Sequence, residues 1–162
     1  MRARDQVLQR VRAALGRTAG QPAPPIPLVR IDPPSRSLEE RLESFQQSLE
    51  TLTGKVYRAQ SREEAREIVA SLTFGKTAVA SGAAILCDCG IITLPQIQRE
   101  FADAGAMRNA LAVADFGITG ADYGLADTGS LVMLSSPTEA RLVSLLPPVH
   151  IALLPKDRKS VV

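Results

Sequence analysis

Three short stretches in the second half of the chain carry the residue types that hold or activate small polar ligands. Thr119-Gly-Ala-Asp122 follows a run of β-formers, where Gly120 lets backbone approach a ligand and Asp122 offers an acid or base. Asp127-Thr128-Gly129-Ser130 places a carboxylate beside two hydroxyls and a glycine, a set that orients a substrate hydroxyl or carboxylate. Ser135-Ser136-Pro-Thr138 supplies hydroxyls and N–H groups suited to an anionic group. Beyond these, Arg141 carries a fork for carboxylate or phosphate, and His150, the only histidine, is a general base or ligand. Each position also has a structural reading. Asp122 equally caps a helix or turn, Asp127 to Gly129 makes a tight turn, and His150 bonds to backbone at a strand end. Arg141 is then a solvated arginine paired with Glu139.

Other chemistries fail on spacing. Gly75-Lys-Thr77 resembles the tail of a phosphate-binding loop, yet position 70 is Ala and a strand follows instead of a helix. Gly117, Gly120 and Gly124 do not reproduce the dinucleotide fingerprint. Cys87 and Cys89 cannot alone complete a zinc site, a cluster or a disulfide framework, so neither metal nor cofactor is expected and a reducing compartment fits. With 19 Lys plus Arg against 17 Asp plus Glu, the net charge of +2 exerts no strong pull on a nucleic acid. The chain shows no apolar run of the roughly 20 residues that cross a bilayer, and no signal peptide, so a cytoplasmic protein is expected.

The elements that must position these residues follow from periodicity. Val7, Leu8, Val11 and Leu15 share one side of an N-terminal amphipathic helix, and six prolines between Gly16 and Ser35 make the next segment an extended arm. The folded body begins at Ser37, where Ser37 with Glu40 forms a capping box for a helix through Leu52; residues 1–36 and 37–162 are therefore separate regions. Lys55 to Ala59 reads as a strand, Ser61 with Glu64 opens a second helix, and Thr77 to Ala80 is the next strand. The stretch 81–90 fits either a loop or a helical turn. Pro95 starts a helix carrying Ile97 and Phe101 that ends at Gly105, and a short helix spans Met107 to Val113. Strands follow at Asp115 to Thr119 and Gly129 to Leu134. Ser136-Pro-Thr-Glu139 then caps a helix carrying Leu142, Val143, Leu145 and Leu146, and Val149 to Leu154 is a strand buried on both sides. Residues 129–154 thus read as a right-handed strand, helix, strand unit within an α/β sheet.

Gly117-Ile-Thr-Gly-Ala-Asp122, Ala126-Asp-Thr-Gly-Ser-Leu-Val132 and Arg141-Leu-Val-Ser-Leu-Leu-Pro-Pro-Val-His-Ile151 together resemble the LUD-domain family of the LutC/YkgG lactate-utilisation type. The resemblance is close over residues 110–154, weaker over Ser37 to Leu72, and includes the arginine-rich helix ending in Ala-Leu-Gly16. It implies a three-layer α/β/α sandwich with a mostly parallel sheet, related to the sugar-phosphate isomerase and CoA-transferase (NagB/RpiA/CoA-transferase-like) superfold. It also implies bacterial oxidation of L-lactate to pyruvate alongside iron–sulfur partner subunits. Two departures stand out. Asp127-Thr-Gly-Ser130 replaces the family's Glu-Thr-Gly-Thr, and the family's last strands are expected to be missing after the His150 strand.

Two functions follow as expectations. One is a subunit of a lactate-oxidising system whose Thr119 to Asp122, Asp127 to Ser130, Ser136, Arg141 and His150 face a small carboxylate, a phosphorylated ligand or a partner, with homo-oligomer formation left open. The other is a free-standing enzyme of the superfold with Asp122 or Asp127 as base. A third class, an interaction module built on the arginine helix and Pro-rich arm, needs no small ligand.

Overall fold

The computed structural model describes residues 3–18, 20–22, 25, 36–136 and 139–156, in two compact units, Met1–Pro33 and Pro34–Val162. In the first unit, helix α1 (Ala3–Ala14) has Asp5 in its first turn and Arg12 in its last, the ends at which the helix dipole favours each charge. Its apolar side, with Val7, Leu8, Val11 and Leu15, is exposed. The expected Pro-rich arm lies largely outside the described residues.

The second unit opens with α2 (Leu38–Thr51), whose Ser37 and Glu40 form the expected capping box. It ends by placing Thr53 at φ +67°, a left-handed position that glycine usually takes. Gly54 is needed for space, since a Cβ there would sit 2.6 Å from Leu49 Cγ. Helix α3 (Arg62–Leu72) is capped by the Ser61 side chain, which accepts from the Glu64 N–H. The chain then alternates β1 (Ala78–Ala80), α4 (Ala84–Asp88), a 3-10 turn Ile91–Thr93, β2 (Ile97–Gln98), α5 (Ala104–Val113) and β3 (Phe116–Gly120). A hairpin of β4 (Tyr123–Leu125) and β5 (Ser130–Val132) precedes α6 (Leu142–Leu145) and β6 (Val149–Leu153).

Four strands form one all-parallel sheet in the order β2-β1-β3-β6, and β4-β5 stands apart as an antiparallel pair. Alternation along the strands separates two cores. Ala78, Ala80 and Ile118 face Val69, Leu86, Cys89, Ile91, Leu94 and Ile97 from α3, α4 and their neighbours, with Ile151 and Leu153 packed against them. Val79 faces Leu111, Ala114 and Val143 from the α5 and α6 side. The result is helix, sheet and helix in three layers, as expected from the residues and the family resemblance.

Several expected elements fold differently. Lys55 to Ala59 is irregular and mostly exposed, because no strand of the sheet lies beside it, and Arg58 instead pairs with Glu39 and Gln46. Ile97 belongs to β2, drawn into register with Ala78, so Pro95 opens no helix. Helix α5 starts where Asp103 accepts from the Ala106 N–H, and Gly105 lies inside it. Residues 129–154 do not make one parallel unit: β5 pairs with β4, and the parallel neighbour of β6 is β3. Strand β6 is an edge, half-buried along most of its length instead of covered on both sides. Finally, no helix starts at Ser136, and α6 spans only four residues without a side-chain cap.

Candidate functional site

A parallel sheet with strand order 2-1-3 has a switch point between its first and third strands, where successive connections leave over opposite faces and open a crevice at the carboxyl ends. Here β1 leads into α4 on one face, whereas the connection after β3 returns through α6 on the other. Helix α6 lies so close that a Cβ on Gly117 would come within 1.8 Å of the Val143 carbonyl oxygen. The switch point here lies between Ser81, directly after β1, and Gly120, the last residue of β3.

Ser81 is 4% exposed. Its N–H donates to the Ile118 carbonyl at 2.9 Å, and its Oγ donates to Glu139 Oε1 at 3.0 Å. Glu139 is half-buried, and that burial pushes its carboxyl pKa up, with the Asp122 charge adding to the rise. Hydrogen bonds from Ser81 and the Gly120 backbone pull the other way. Gly120 makes room for all of this, because a Cβ would meet Ala83 at 2.9 Å, Ile85 at 3.2 Å and Glu139 Oε1 at 3.5 Å.

A second pair forms at the preceding residue of β3, whose side chain points to the other face by the alternation of the strand. Thr119, 2% exposed, sets Oγ1 at 2.8 Å from His150 Nε2 and 3.3 Å from Met133 Sδ. One hydroxyl proton serves one acceptor: either it goes to the ring nitrogen, or Nε2–H donates to Thr119 and the hydroxyl turns to the sulfur. Burial lowers the His150 pKa, which favours the neutral imidazole. His150 thus bonds to a side chain, and the backbone partner expected at a strand end is not the one found.

The structure gathers some of the expected residues and sets others apart. Thr119, Gly120 and Asp122 sit at or just beyond the carboxyl end of β3, whereas His150 is the second residue of β6, in register with Gly117, and reaches Thr119 through its ring; Ser136 accepts the Glu139 N–H at 3.2 Å. Asp122 also ties the hairpin down, its N–H donating to the Val132 carbonyl at 2.9 Å and its Oδ2 accepting from the Leu134 N–H at 2.7 Å. Asp127, Thr128, Gly129 and Ser130 lie at the hairpin tip against α2. There Asp127 pairs with Arg36 at 2.7 Å, Thr128 Oγ1 donates to Ser130 Oγ at 2.9 Å, and a Cβ on Gly129 would lie 2.5 Å from Leu49 N. Ser44 and Ser48 donate to the Ala126 carbonyl, and Ser48 also to that of Asp127, fixing the tip on the helix. A shallow concavity beside it is lined by Arg36, Glu40, Glu43, Ser44 and Gln47, away from the strand ends. Arg141 is exposed at the start of α6, and the Glu139 it was expected to pair with bonds Ser81 instead.

Sequence reasoning missed Ser81 and Glu139. The rule that pointed to Thr119, the first polar residue at a strand's carboxyl end, applies equally to Ser81 after Thr77 to Ala80. Among the described residues there is no group of three or more His, Cys, Asp or Glu placed to hold a metal, and no helix long and apolar enough to cross a membrane.

Comparison with known proteins adds to this geometry. The LUD domain family model matches residues 42–158. The chain is 56% identical over 44 residues to a protein named Lactate utilization protein C from Halalkalibacterium halodurans, covering 27% of this chain and 19% of that one. A protein of the same name from Exiguobacterium sp. is 42% identical over 52 residues, covering 32% of this chain and 23% of the relative. An uncharacterized protein of Neisseria meningitidis, NMB1437, is 54% identical over 39 residues, 24% of this chain and 17% of its own. These matches thus span less than a quarter of each relative's length. The crystal structure of a DUF162 family protein from Deinococcus radiodurans superposes with a TM-score of 0.63 at 20% identity, over 79% of this chain and 77% of that one, a likeness of fold.

Proposed function

Since the chain belongs to the LUD-domain family, we propose that it works as a subunit of a cytoplasmic L-lactate utilisation system and receives a small carboxylate, or a partner's acidic group, at the carboxyl ends of its strands. The observation that carries this reading is the identity with two relatives named Lactate utilization protein C. Oxidising lactate to pyruvate releases two electrons and two protons. Two cysteines supply too few thiolates for a four-cysteine cluster, so in this reading the electrons pass to partner subunits that carry iron–sulfur clusters. This chain contributes the buried hydroxyls of Ser81 and Thr119, the Glu139 carboxyl and the neutral His150 ring, groups able to orient an acid and move a proton. Lactate-dependent acceptor reduction by the reconstituted system, with and without this chain, is the test. Loss of reduction in its absence is expected, and an unchanged rate refutes the reading.

A second reading is a free-standing acid–base enzyme acting on a phosphorylated sugar, folate or acyl-CoA-like substrate, with Asp122 or Asp127 as base. The observation in its favour is that Asp122 stands close enough to Glu139 to raise its pKa, the kind of carboxyl pair that separates acid from base. Turnover by the purified chain alone distinguishes it.

A further inference from the structure

Helix α1 is closed at its carboxyl end by a full set of capping bonds. The Gly16 N–H donates to the Ala13 carbonyl at 3.1 Å, the Arg17 N–H donates to that of Arg12 at 2.8 Å, and Gly16 takes φ +63°, the left-handed position that glycine suits. Yet no residue of the helix is buried. Val7 is 60% exposed and Leu15 67%. Twelve residues in water lie at the short limit for a helix, so its stability has to come from packing of the apolar side. At 3.6 residues per turn, Ala3, Val7, Leu8, Val11, Ala14 and Leu15 fall within an arc of about 140°. Arg10 borders that arc on one side and Arg12 on the other, and Arg4 stands within it at the amino end. Among the described residues no ion pair takes up any of these three arginines. Charge is divided in the same sense. Met1–Pro33 holds six arginines against Asp5 and Asp32, a net +4, while the rest of the chain holds 13 basic against 15 acidic side chains.

We propose that α1 docks on an anionic lipid surface, lying in the plane of the interface with its valines and leucines among the acyl chains and Arg10 and Arg12 at the phosphates. Arginine suits such a border, because its apolar stem covers hydrocarbon while the guanidinium turns out to pair with phosphate oxygens. Arg4 does the same from the end of the arc. A second copy of the helix is a poorer fit. The row Arg4, Leu8, Val11, Leu15 would set an arginine in the seam, and twelve residues make fewer than two heptads. A lipid surface demands no matching shape or length, and its negative charge complements the first unit. The net-negative remainder of the chain gains nothing from that charge, so contact is confined to this helix.

The test is co-sedimentation of the full chain with vesicles of phosphatidylcholine alone and with one-third phosphatidylglycerol, at about 0.1 M and about 1 M salt, where charge is felt over about 10 Å and about 3 Å. Binding is expected to the anionic vesicles at the lower salt and is expected to fall away in the other three conditions. Arg10→Gln with Arg12→Gln is expected to weaken it about 25-fold, at about fivefold for each arginine near an anionic surface. Leu8→Ala with Val11→Ala keeps helix propensity and is expected to weaken it about tenfold or more. Because none of these four side chains is buried, thermal unfolding is expected to be the same in every variant. Absence of binding to anionic vesicles overturns the proposal. So does binding that survives loss of the arginine pair, or binding indifferent to the apolar pair, which is adsorption by charge alone. A dimer in sedimentation equilibrium that the two alanines dissolve gives this face to a second copy and overturns it as well.

Discussion

Gly117→Ala is the substitution that probes the fold most sharply. The new Cβ would lie 1.8 Å from the Val143 carbonyl oxygen, 2.9 Å from its carbon and 3.1 Å from Pro147 Cγ. A carbon resting against a carbonyl oxygen needs about 3.3 Å, so strand and helix must part by about 1.5 Å. The obstacle is main chain, which no rotamer change removes. Val143 is 2% exposed and packs with Val79, Leu111 and Ala114. Losing most of that burial costs about 1.5–3 kcal/mol, and the forced overlap adds about 1–3 kcal/mol. The expected loss is therefore about 2.5–6 kcal/mol, a large share of the roughly 5–15 kcal/mol that holds an ordinary domain together. Urea unfolding followed by circular dichroism should show a lower midpoint at unchanged slope, and heating should show a midpoint lower by about 10 °C. Gly124→Ala is the control. There the new Cβ meets only the tips of Leu154 at 2.9 Å and Phe45 at 3.1 Å, which can turn aside, so about 1 kcal/mol is expected. A Gly117→Ala protein within about 1 kcal/mol of the parent would refute the close seating of α6 on β3.

Other expectations follow from the same contacts. His150 has its pKa lowered by burial, so the unfolded chain takes up a proton first as pH falls. Stability is full above the ordinary value of 6.5 and is lost as pH drops through it; a His150→Gln variant should show a smaller difference between urea midpoints at neutral and mildly acid pH. Thr53→Gly relieves a left-handed backbone at φ +67° and should stabilise by about 1 kcal/mol in the same assay. Asp122→Asn weakens a charge-assisted bond to the Leu134 N–H and should cost about 1–2 kcal/mol. Asp127→Asn touches an exposed pair with Arg36 and should cost under about 1 kcal/mol, with lactate-dependent reduction little changed if the hairpin tip is a fastening.

Much of this was legible in the residue pattern wherever the deciding forces are local. Ser37 with Glu40 and Ser61 with Glu64 announce α2 and α3 because the capping bonds span only three residues. Strand β3 and its polar end at Thr119 to Asp122 follow from apolar alternation and a glycine. What escaped is set by partners distant in sequence. Ser136 and Glu139 carry a capping signature, and the Glu139 N–H does reach Ser136 Oγ, yet the Glu139 carboxyl bonds Ser81, 58 residues away, and no helix begins there. Ile97 joins β2 because Ala78 offers it a register, and nothing in Pro95-Gln-Ile97 itself says so. The Asp127 to Ser130 motif looked continuous with Thr119 to Asp122 along the chain, but a hairpin separates them in space.

The glycine that ends β3 has one further consequence. Ala83, Ile85 and the Glu139 carboxyl all close on that main chain, so the polar character of this sheet end is decided by four positions around it, 81, 122, 136 and 139, borne on loops. Loops tolerate replacement far better than a packed sheet does. Substitutions at these four positions are therefore expected to change the chemistry of this sheet end while the sheet beneath stands.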